Sequence, residues 1–107
     1  MRQFALEDFV RGWFVGDFEP SIVKTGDVEV AVQKFPAGTY EAAHYHKKAT
    51  EITVLINGRA EMFNQVIEEG SVVKIDPGEV TSFKAITDCT TVVVKYPGVK
   101  DDKYGVE

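Results

Sequence analysis

From Ser21 onward the chain alternates short apolar-rich runs with turn residues, and almost nowhere carries the periodicity of an amphipathic helix. Nine runs read as strands: 21–24, 28–35, 40–46, 51–57, 59–63, 66–68, 71–75, 81–86 and 89–95. Val28, Val30 and Val32 show the period of two that half-buries a strand. Thr25-Gly26-Asp27, Pro36-Ala37-Gly38 and Asp76-Pro77-Gly78 supply turns, and a tight turn falls near Asn64-Gln65. Strands this short and this evenly spaced bury their apolar faces only by closing on one another, which predicts an all-β sandwich or barrel.

The 107 residues suffice for one domain, which buries roughly 60–70% of its unfolded surface. Residues 1–20 form an arm with five of the twelve aromatic side chains: Phe4, Phe9, Trp13, Phe14 and Phe18. A helical turn is expected over 6–11, ended by Gly12. Leaving such groups in water costs about 1.5–3 kcal/mol each, so the arm is expected to pack on its own barrel, to cross onto a second subunit or to line the pocket mouth. The barrel is expected to span 21–98, and a polar tail 99–107. A net charge of −5 with scattered Lys and Arg excludes the electrostatic footprint of a nucleic-acid binder. No basic leader precedes an apolar run and no stretch of 18 apolar residues exists, so no membrane partner is expected and the location is read as cytoplasmic. The single Cys89 cannot form an intrachain disulfide; it reads as a small strand residue in a reducing compartment.

Both histidines of the chain lie in the run Tyr40–His46. Two residues apart on a strand, His44 and His46 project from the same face. Residues 47–50 then read as a hairpin loop, with Glu51 opening the returning strand opposite His46, where cross-strand Cβ atoms lie about 4.5–5.5 Å apart. Two imidazoles and a carboxylate leave positions open on a divalent ion: Fe, Mn, Ni, Co or Zn. Failing an ion, the three would satisfy one another by hydrogen bonds. Lys47 and Lys48 on the loop are candidates to hold an anion, or are simply a solvated loop tip. Tyr40, Gln33, Phe83 and Arg59 are candidate cavity residues with no assigned role.

The run Gly38-x5-His44-x-His46-x4-Glu51-x6-Gly58 resembles the first motif of the cupin family throughout. Gly70 to Thr81, with Asp76-Pro77-Gly78, echoes the second motif, Gly-x5-Pro-x-Gly-x2-His. Asp76 stands where that motif has its first proline, and Thr81 where it has the histidine that supplies a fourth metal ligand. The resemblance implies a double-stranded β-helix, or jelly roll. It implies a metal held by His44, His46 and Glu51 inside the barrel, and a small organic or sugar-derived substrate. Members of the family serve as dioxygenases, isomerases, decarboxylases and lyases. It leaves two alternatives open. One is a metal-independent isomerase or epimerase of carbohydrate biosynthesis, in which His44 and His46 act as catalytic acid and base; Ala43-His44-Tyr45-His46-Lys47 is similar to that motif. The other is a non-catalytic metabolite-binding or sensing module. Small cupins commonly pair through barrel faces, which with the aromatic arm predicts a homodimer.

Overall fold

A computed structural model describes residues 1–106, and it is nearly all β. Two 3₁₀ turns, Leu6–Asp8 and Val10–Gly12, precede ten strands. These are β1 (Trp13–Val15), β2 (Glu29–Phe35), β3 (Tyr40–His46), β4 (Thr50–Asn57), β5 (Arg59–Met62), β6 (Gln65–Glu68), β7 (Val72–Ile75), β8 (Thr81–Ala85), β9 (Cys89–Tyr96) and β10 (Lys103–Gly105). They form two five-stranded antiparallel sheets, ordered β1-β2-β9-β4-β7 and β10-β3-β8-β5-β6. From β2 to β5, and again from β6 to β10, the chain changes sheet at every strand. This winding is the double-stranded β-helix that the strand pattern and the motifs anticipate.

Because residues two apart share a face, β4 turns Glu51, Thr53 and Leu55 inward, and β9 turns Cys89, Thr91, Val93 and Lys95 the same way. The ladder sets Glu51 opposite Lys95 and Leu55 opposite Thr91. The barrel is therefore graded along its axis. One end is packed by Leu55, Ala60, Met62, Ile67, Ile75, Phe83, Ala85 and Cys89. The other end is polar. Leu55, fully buried, anchors the apolar end, and truncating such a side chain to alanine costs about 2–5 kcal/mol. Cys89 sits in that core, its thiol donating toward the Arg59 and Thr87 carbonyls at 3.2 Å.

Four features differ from the expected ones. The run 21–24 is not a strand; it makes a single bridge, Val15 to Val23. The edge of β2 is taken instead by Trp13–Val15, whose aromatic and β-branched residues pair with Ala31 and Val30. The arm thus adds a strand to the barrel. Its helical turn is split by extended Phe9, and Gly12 (φ +79°) lies so close to β2 that a Cβ there would meet the Val32 carbonyl oxygen at 1.8 Å. Phe9 and Phe14 pack edge to face at 6.4 Å within the arm, and the β1–β2 pairing ties the arm to the barrel edge. The tail also joins a sheet: β10 pairs with β3, Lys103 opposite His46 and Gly105 opposite His44. Glu107, the last tail residue, lies outside the described residues. The turn between β5 and β6 falls one residue early, on Phe63 and Asn64, both at positive φ.

Candidate metal centre

The expected hairpin between His46 and Glu51 does not form. β3 lies between β10 and β8 in one sheet, and β4 between β9 and β7 in the other. Residues 47–49 carry the chain across, and a side chain from the tail holds them there. The Asp102 carboxylate accepts hydrogen bonds from the backbone N–H groups of Lys47 (3.0 Å), Lys48 (3.1 Å) and Ala49 (3.0 Å). Amides that a tight hairpin would offer its partner strand are thereby captured. Burial works against the charge on Asp102, but the three amides outweigh it and hold the carboxyl below its usual range.

The triad converges all the same, because the two sheets face each other. His44, His46 and Glu51 are buried, and one ligand atom from each lies within 4.8 Å of the others. His44 Nδ1 lies 2.9 Å from the Ala42 carbonyl, which can only accept, so Nδ1 carries a proton and Nε2 is the nitrogen that could coordinate an ion. Thr53 Oγ1 donates to Glu51 Oε2 at 3.3 Å and fixes that carboxylate. Burial pushes the Glu51 carboxyl up, a shift that Lys95 partly offsets. Burial, with Lys95 adding to it, lowers His46 to about 4. His46 Nε2 is sealed from water and meets no hydrogen-bond partner among the described residues. An unsatisfied buried polar atom costs about 1–3 kcal/mol. A divalent ion would satisfy it, and a donor set of two imidazoles and a carboxylate suits Fe, Mn, Ni, Co or Zn.

His44 and Glu51 border a cavity of about 370 Å³, within the range of small-molecule sites, and His46 lies behind them. Thr81 is buried directly opposite His44 on β8 and lines the cavity, its hydroxyl donating to the Ser82 carbonyl at 3.3 Å. Gln33 and Phe83 also line it, whereas Tyr40 is 64% exposed and Arg59 pairs with Glu68 at 3.0 Å outside. The loop lysines do not reach the cavity. Lys47 sits over the Tyr104 ring, 4.2 Å from its centroid, and Lys48 is exposed. The cations at the cavity are Arg11, Lys95 and Lys103.

Glu41 is a site residue that strand parity hides. Three residues from His44, it belongs on the opposite face of a regular strand. The β3–β8 register shifts by one between Glu41 and His44, and this bulge turns both inward. Glu41 Oε1 lies 3.4 Å from His44 Nε2 and 3.2 Å from the Lys103 ammonium. No sequence signal marks the bulge beyond the small residues Ala42 and Ala43.

No protein-family model and no curated protein matches the chain. Solved structures match the fold. An uncharacterized protein with a double-stranded β-helix domain from Klebsiella pneumoniae superposes with a TM-score of 0.69 at 22% identity, over 91% of this chain and 85% of its own. KdgF from Halomonas sp. gives 0.64 at 18% identity, over 72% and 74%. Oxalate decarboxylase from Bacillus subtilis, an enzyme with Mn(II) centres, gives 0.66 at 16% identity, over 76% of this chain but only 24% of its own. The chain thus shares the cupin fold, double-stranded β-helix included, with structures of low sequence identity.

Proposed function

We propose that this chain is a metal-dependent enzyme acting on a small organic molecule in the barrel cavity, with His44, His46 and Glu51 holding a divalent ion. The observation that carries the reading is His46 Nε2: buried, on a ring that is neutral near pH 7, without a partner among the described residues, and close to donor atoms of two further residues. When bound, the ion would polarise a substrate oxygen or activate water or dioxygen. The chain's own residues supply the rest. The Ala42 carbonyl fixes the His44 tautomer, Thr53 orients Glu51, and the surrounding β-barrel shields the ligand side chains from bulk water. Thr81 offers only a neutral hydroxyl where the cupin motif has an imidazole, which favours positions left for substrate. In the metal-independent acid–base alternative, a His46 lowered to about 4 would be neutral at neutral pH and could serve only as the base, which leaves its buried, partnerless Nε2 unexplained.

Elemental analysis with calorimetric melting tests the reading. One equivalent of divalent metal is expected, with about 2.7 kcal/mol of added stability at 100 times Kd. His46→Ala should abolish both. Equal melting temperatures for wild type and His46→Ala, with and without Mn or Ni, would refute it.

A further inference from the structure

The molecule as a whole is acidic, yet its cavity is not. Two carboxylates, Glu41 and Glu51, face three cations, Arg11, Lys95 and Lys103. A divalent ion on the triad would raise that formal excess from one positive charge to three. Glu29, across the ladder from Lys95, and Glu19 line a neighbouring pocket that Arg11 and Lys95 also border; counting both carboxylates still leaves the loaded site positive by one.

Lys103 is already paired with Glu41, but Lys95 is not paired. Among the described residues, no carboxylate comes within 4.0 Å of the Lys95 or Arg11 head groups. Lys95 is directly opposite Glu51 on the inward face, and its ammonium is held 4.9 Å from the centroid of the Trp13 ring. Arg11 is pinned at the cavity by its own backbone: its carbonyl accepts a hydrogen bond from Gln33 Nε2 at 3.2 Å. A half-buried cation beside a metal centre, near carboxylates but in direct contact with none, favours an anionic ligand. On these grounds we infer that the cavity takes a small organic carboxylate, its anionic end held by Lys95 with Arg11 beside it and its carbon skeleton against Phe35 and Phe83. The inference rests on the metal-centre reading. A phosphate ester fits less well, because phosphate favours several backbone amides or a bidentate arginine cluster, and the cavity has one arginine.

The test is calorimetric titration of Mn-loaded protein with malonate, with its neutral analogue malonamide, and with inorganic phosphate. Metal stoichiometry is measured on every variant. Malonate should bind in preference to both other probes. Lys95→Met, which keeps the stem on Trp13, should weaken malonate roughly tenfold while still taking up one metal, and Lys95→Arg should recover most of the loss. Arg11→Gln should weaken it less. Malonate binding unchanged in Lys95→Met, or malonamide or phosphate binding as tightly as malonate, would overturn the carboxylate inference and leave the metal reading standing. Wild-type protein that takes up no metal would overturn the metal reading. The carboxylate site is then judged on metal-free protein, where Lys95-dependent malonate binding sustains it and its absence overturns it.

Discussion

His46 combines a sealed, unbonded nitrogen with a suppressed basicity, and this sets the pH response of the metal-stripped protein. The unfolded chain takes up a proton near 6.5, the folded chain only near 4. Between those values acid favours unfolding. Stability present above pH 6.5 is therefore lost as pH falls toward 4, by at most roughly 3 kcal/mol for this group. Glu51 acts in the opposite sense, because burial raises it and protonation relieves a buried charge. Urea unfolding of metal-free wild type and His46→Gln between about pH 4.5 and 7 separates the two. The variant should show a clearly shallower loss in acid, and identical slopes would mean that His46 does not stay neutral in the folded state. Thr81 gives a second residue-scale test. An imidazole there would sit opposite His44 and face the cavity. Thr81→His should tighten metal binding by about tenfold or more in chelator competition. Unchanged affinity would mean that position 81 does not reach the ion.

Among the elements, β10 has the largest effect for its size. Asp102, just before it, holds three consecutive loop amides between the ligand strands. Asp102→Ala would leave those amides unpaired, at a cost of order 3 kcal/mol, and would loosen the spacing between His46 and Glu51. Chemical denaturation and chelator titration should both register the change. Lys103→Met, which removes only an exposed ion pair, should shift stability by under about 1 kcal/mol. The same elements mark how far the sequence could be read. Strands β2 to β9 were legible within a residue or two, since period-two burial and Gly, Pro and Asp turns are local signals. The short β1 and β10 form because long-range partners recruit them, and no local pattern announces that. His44, His46 and Glu51 were legible as a set, but the hairpin was the wrong route to their meeting. The crossing from β3 to β4 is held by Asp102, a contact 53 to 55 residues away in sequence that no local pattern announces. Glu41 was hidden by a one-residue bulge, and the turn at Phe63 by a residue that rarely takes positive φ.

At the scale of the whole molecule, the arm adds β1 to the barrel edge but leaves apolar surface outside. Phe4 is 52% exposed and Val10 56% exposed. Exposed apolar groups of this kind favour self-association, and two-fold dimers are the commonest closed form. We expect a homodimer, with light scattering giving twice 11.9 kDa at micromolar concentration; a mass of 11.9 kDa would refute it. The larger consequence lies in the way the ligands are divided. His44 and His46 hang from one sheet and Glu51 from the other, with only residues 47–49 joining them directly. An ion held by all three would act as a rivet through the seam. Opening of the polar end would then require breaking a coordination bond, while breathing at the Leu55 and Ile67 end would proceed as before. Amide hydrogen exchange should show that asymmetry: on metal binding, β3 and the start of β4 slow together, although they belong to different sheets, and β5 and β6 keep their rates.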